Sequence, residues 1–106
     1  LLNHYNISKP LKSYHKFNEA AEEDLILSEL RQGKHIALIS DAGTPGISDP
    51  GARLVQKCRE WGISVTAIPG PCAAIAALSA SGLDTNRFQF IGFLPKKTEE
   101  LRHTLR

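Results

Sequence analysis

Methionine is absent from this sequence, tryptophan occurs once and cysteine only twice. A chain without methionine cannot open at a translation start, so the 106 residues are expected to be a piece of a longer protein. Two cysteines, Cys58 and Cys72, make neither a disulfide framework nor a zinc pattern. Two reduced thiols in a cytoplasmic protein are the expectation. No apolar run approaches the ~20 residues that span a bilayer, and no signal-peptide pattern opens the chain, so no membrane association is expected. His4, His15, His35 and His103 lack zinc-site spacing, so no metal is expected. The formal net charge of +2 is too small to indicate nucleic acid by itself.

What is present is apolar material for one core, 42% of residues, a usual share for a globular domain. LLNHY reads as the tail of a helix, Ser8–Pro10 as a turn and Leu11–His15 as a weakly alternating short strand. Asn18 is a candidate N-cap, followed by Glu19, Glu22, Glu23 and Asp24 at the positive end of a helix. Ile26, Leu27 and Leu30 give that helix a buried side, Leu25 falls off it, and Gly33 suits the position just past its end. His35–Ser40 is short and continuously apolar, as in a strand covered on both faces. Asp49 and Pro50 read as N-cap and first helical residue, Leu54, Val55, Cys58 and Trp61 share one helical face, and Gly62 closes it. Ile63–Ile68 is a second strand, Cys72–Ser81 a helix closed by Gly82, and Phe88–Phe93 a third strand with Gly92 at a bulge. Thr98 then caps a last helix beginning TEELRHTLR. Alternating strands and helices at this spacing predict an α/β fold: an open, mostly parallel sheet flanked by helices.

Between the first strand and the next helix lies SDAGTPGISDPG, Ser40–Gly51. It has none of the lysine that a Walker loop requires, and its glycine spacing fits neither the dinucleotide fingerprint nor the G-x-S-x-G elbow. In open α/β sheets ligands bind beyond the carboxyl ends of strands. Ser40–Ile47 and Pro69–Ala73 both occupy such ends, and side-chain-poor backbone there exposes N–H and C=O groups. Two such turns side by side would floor a slot for a small molecule. A structural loop that ends in a helix cap accounts for the same residues.

SDAGTPGISDPG, PGPCAAIAALSASGL (Pro69–Leu83), RFQFIGFLPKK (Arg87–Lys97) and SYHKFNE (Ser13–Glu19) together resemble the tetrapyrrole (corrin/porphyrin) methylase superfamily of S-adenosylmethionine-dependent enzymes. Within it they are most similar to the group that methylates a cytidine 2′-hydroxyl of small-subunit (16S) ribosomal RNA. The resemblance implies that residues 1–95 are most of an N-terminal α/β cofactor-binding domain and that 96–106 begin a C-terminal domain. It implies S-adenosylmethionine as cofactor, small ribosomal subunit RNA as partner, and a homodimer. A methylase of a tetrapyrrole precursor and a catalytically silent small-molecule-binding domain are the alternatives. The loop SDAGTPGISDPG stands against the first, since tetrapyrrole enzymes usually carry a G-D-P type loop there.

By this resemblance Asp41, Ala42, Gly43, Thr44, Pro45 and Gly46 bind the cofactor, mostly through backbone, and Pro71, Cys72 and Ala73 pack against it. Cys72 stands where the family more often has serine. Asp41 either attends the cofactor's charge or caps its own loop, and Asp49 is a helix cap. Tyr14, His15 and Asn18 fall on the substrate side of the family's pattern, although Tyr14 filling the core and His15 holding a turn fit equally. Lys96 and Lys97, with Lys9, Lys12, Lys16, Arg102 and Arg106, are candidate RNA contacts. A thiol at a helix N-terminus can also be a nucleophile, but no histidine lies in a motif that would partner Cys72. The sequence assigns no catalytic base.

Overall fold

The computed structural model describes all residues from Leu1 to Arg106. A single 3₁₀ turn, Asn3–Tyr5, precedes four helices: α1 Glu19–Arg31, α2 Ala52–Glu60, α3 Ala73–Ala80 and α4 Thr98–Thr104. There is no β-strand, which corrects the expected open parallel sheet. The segments 35–40, 63–68 and 88–93 form no backbone hydrogen bond with one another.

The physical reason lies in what a strand needs. An apolar run becomes a buried strand only when neighbours satisfy its N–H and C=O groups and cover its faces. Here the segments stay half open to solvent: Ile36 is 43% exposed, Phe90 54% and Phe93 87%. Gly92 has a φ of +79° but sits in no ladder, so it is no bulge. The chain accordingly exposes 9453 Å², against about 5,800 Å² expected for a compact protein of this mass. Its radius of gyration is 17.3 Å, against about 13 Å for a compact domain of this length.

The helices form where capping and pattern agree. α1 buries Glu23, Ile26 and Leu27 and leaves Leu25 outside. Gly33, with a φ of +86°, turns the chain away after it. α2 starts two residues later than Asp49–Pro50 implies, with Gly51 in the capping position. It buries Leu54 and Cys58, and Gly62 follows at a φ of +69°. α1 and α2 pack together around Ile26, Leu27, Leu54 and Cys58, flanked by Tyr14, Leu30 and Ile63. Trp61 stays half exposed and lies beneath the Arg31 guanidinium, 5.2 Å from its ring centre. Such a stack contributes about 0.5–1 kcal/mol at an exposed site.

α3 is an apolar helix without a buried residue. Its expected packing against a sheet is absent because no sheet forms. In α4 the capping position falls to Lys97, one residue before Thr98. No helix is long and apolar enough to cross a membrane.

Candidate functional site

Beside the α1–α2 core lies an open cleft of about 740 Å³, within the range of small-molecule sites. One wall comes from Leu11 and Tyr14–Phe17, the other from Leu38–Asp41 with Asp49 and Pro50, and Leu1–Asn3 complete it. Thus Tyr14, His15 and Asp41 come together around one space.

The Tyr14 wall is a locally folded turn. The Asn18 side chain accepts from His15 N–H at 2.7 Å and donates to the Ser13 carbonyl at 2.9 Å. His15 Nδ1 accepts from Phe17 N–H at 3.2 Å, so in this structure the histidine holds the turn. Asn18 occupies the capping position of α1 but bonds backward rather than into the helix. Tyr14 reaches the core from this turn, and its hydroxyl is buried with no hydrogen-bond partner. Burial raises its pKa above the usual 10.0, and the nearby carboxylates of Glu19 and Glu23 push it further the same way.

The opposite wall starts at the extended run Leu38–Asp41 and leads into the glycine loop. Thr44–Ile47 closes a β-turn with a 3.2 Å bond from Ile47 N–H to the Thr44 carbonyl. Pro45 and Gly46 fill its central positions, and Gly46 has the positive φ, +81°, that a type II turn requires. Upstream, the N–H groups of Asp41, Ala42, Gly43 and Thr44 make no hydrogen bond within the chain. A Cβ added to Gly43 would meet open space. Four consecutive unbonded amides on exposed backbone are donors for a carboxylate or a ribose oxygen. In these respects the first loop fits the expected cofactor.

Pro71, Cys72 and Ala73 are exposed and line no part of the cleft. The two side-chain-poor turns therefore do not share one floor, whose second side comes instead from the Tyr14 segment. Cys72 occupies the capping position of α3 and makes no capping bond. Lys96 and Lys97 are exposed and away from the cleft, with Lys97 Nζ 3.4 Å from Glu100. Lys16 lines the cleft, while Lys12 pairs with Glu22 at 3.6 Å. No group of three His, Cys, Asp or Glu side chains is placed to hold a metal ion.

A buried ionic cluster escaped the sequence reading. Glu23 is 1% exposed, with its oxygens 3.0 Å from Arg53 Nε and 3.0 Å from Lys57 Nζ. These are ion pairs without hydrogen-bond alignment. Glu19 reaches across to α2 as well, its Oε1 accepting from Gly51 N–H at 3.0 Å. The i, i+4 spacings of Glu19 with Glu23 and of Arg53 with Lys57 place each pair on one helical face, the only hint available beforehand.

The cleft thus brings the aromatic Tyr14 turn to the start of the glycine loop, at Ser40 and Asp41, while Ala42–Gly46 lie outside its lining. The profile of the tetrapyrrole (corrin/porphyrin) methylases matches residues 2–106, and the chain belongs to that family. A Pasteurella multocida (strain Pm70) relative, "Ribosomal RNA small subunit methyltransferase I", is 57% identical over 99 residues, 93% of this chain and 35% of the relative. Relatives of the same name from Buchnera aphidicola (subsp. Schizaphis graminum) and Escherichia coli O157:H7 are 54% and 51% identical over 106 residues, all of this chain and 37% of each relative. The chain thus spans little more than a third of the length of the curated relatives it matches.

Proposed function

We propose that this chain contributes the donor-binding part of an S-adenosylmethionine-dependent methyltransferase that acts on a cytidine 2′-hydroxyl of small-subunit ribosomal RNA. The observation that carries the reading is 50–57% identity over nearly all of the chain to relatives named for ribosomal RNA methylation. The open amides of Asp41–Thr44, which run on from the point where Asp41 lines the cleft, support it. The same reading carries a cytoplasmic homodimer, with residues 1–95 belonging to one domain and 96–106 opening the next.

When bound, the cofactor supplies a methyl group already activated on a sulfonium. The residues of this chain have binding and orientation to do. The unbonded amides of Asp41–Thr44 would hold polar groups of the donor, and the open space at Gly43 would leave room for its approach. The Asp41 carboxylate places a negative charge at the cleft, which favours a cationic ligand. Lys16 meets a phosphate of the substrate strand at the opposite wall. Holding two reactants in near-attack geometry can supply about 7–11 kcal/mol of barrier reduction.

The test is methyl transfer by the full-length protein from labelled S-adenosylmethionine. Label in small-subunit RNA, resistant to alkali as a 2′-O-methylated linkage, is the expected result. Label in uroporphyrinogen and not in RNA would overturn the reading in favour of a tetrapyrrole methylase. Label in neither, with no calorimetric response to S-adenosylhomocysteine, would leave a silent binding domain.

A further inference from the structure

The bond from Gly51 N–H to Glu19 Oε1 is the only hydrogen bond in the protein between residues more than five positions apart. Every other one closes a helix, a turn or a local side-chain contact. At its donor end, Gly51 is buried and has a φ of +123°. A Cβ there would come within 2.5 Å of Leu38 Cδ2, so the Leu38 side chain occupies the space that glycine leaves. Leu38 lines the cleft. Gly51 also abuts the TPGI turn: Gly46 N–H donates to the Pro50 carbonyl at 3.1 Å, and a Cβ on Gly46 would touch Ala52 N at 3.6 Å. At its acceptor end, Glu19 is the first residue of α1 and adjoins the turn that Asn18 ties to His15 and Ser13. The one long-range bond therefore joins the base of one cleft wall to the base of the other.

We infer that Glu19 is a positioning residue, which through Gly51 sets where the Ser40–Pro50 loop stands relative to the Tyr14 wall of the cleft. Its carboxylate accepts from the capping residue just ahead of α2, beside the positive end of the helix dipole, which strengthens the bond. The Glu23 ion pairs hold the same two helices one turn further in, so Glu19 fixes the loop end of a joint whose other end is already closed. The consequence for donor binding rests on the proposed function, whereas the positioning itself does not.

The test compares full-length wild-type protein with Glu19→Ala and Glu19→Gln, the latter keeping a neutral acceptor. Amide hydrogen exchange is read by peptide, and S-adenosylhomocysteine affinity by calorimetry. In Glu19→Ala, exchange over residues 46–55 is expected to quicken about tenfold, the scale of a lost charge-assisted hydrogen bond. Exchange elsewhere stays as in wild type, Kd weakens by a similar factor, and Glu19→Gln restores most of both. Unchanged exchange over 46–55 in Glu19→Ala would overturn the inference. So would a uniform rise across the whole chain, which marks general destabilisation, or a failure of Glu19→Gln to rescue. If wild type binds no S-adenosylhomocysteine, the donor-site reading falls while the exchange data still decide the role of Glu19.

Discussion

Glu23 Oε1 lies 3.0 Å from Lys57 Nζ, and the two ends of this pair differ sharply in exposure: the carboxylate side chain is 1% exposed and the lysine 31%. Arg53, on the other oxygen, is 59% exposed. The cluster is thus one buried anion served by two cations that retain water. Removing both cations strands the carboxylate, so Arg53→Met with Lys57→Met is expected to cost about 3 kcal/mol. Glu23→Gln lets both cations turn outward and is expected to cost about 1 kcal/mol, given their screening by solvent. Urea unfolding of the full-length protein measures both, and equal losses would mean that solvent reaches Glu23.

Tyr14 makes stability fall in alkali. Its folded pKa lies above 10.0, raised by burial and by Glu19 and Glu23. The folded state therefore holds the phenolic proton more tightly than the unfolded state does. The resulting stabilisation is fully present below the unfolded value near 10 and is lost as pH rises through the folded one. Tyr14→Phe removes this dependence and frees the site of an unpartnered buried hydroxyl. Thermal unfolding from pH 8 to 11 should show the wild-type midpoint dropping more steeply than that of Tyr14→Phe, and parallel curves would contradict the assignment.

Two glycines of the loop should respond differently to alanine. Gly43 has a φ of +71° and open space where a Cβ would go, so Gly43→Ala meets backbone strain alone, about 1–2 kcal/mol. Gly51 has a φ of +123° and would also drive its Cβ against Leu38. Displacing that side chain adds roughly 1–3 kcal/mol of overpacking. Paired denaturation curves check the order, and a Gly51→Ala loss no larger than that of Gly43→Ala would show that Leu38 yields freely.

The helices were legible because the information that makes them is local. Asn18, the acidic run after it, the Ile26–Leu27–Leu30 stripe and Gly33 mark α1 within about fifteen residues, and a turn's own hydrogen bonds complete it. Pro45 and Gly46 likewise specify their turn through fixed φ and permitted positive φ. Family membership was legible too, since it resides in ordered motifs rather than in contacts. Cap positions were less so: Asp49–Pro50 and Thr98 are good starting residues, yet α2 begins behind Gly51, whose N–H a distant glutamate takes up.

Only the tertiary structure decided the rest. Apolar runs at 35–40, 63–68 and 88–93 state that a segment can be covered, not what covers it, and without lateral partners they remain extended and half exposed. The cleft pairs the Tyr14 turn with Asp41 and leaves Pro71–Ala73 outside. The Glu19–Gly51 bond and the Glu23 cluster likewise join residues some thirty positions apart. Sequence by itself determined the helices, the turn and the family, because short-range sterics, caps and ordered motifs suffice for those. Which of these local pieces meet depends on long-range burial and charge, and no local pattern encodes it.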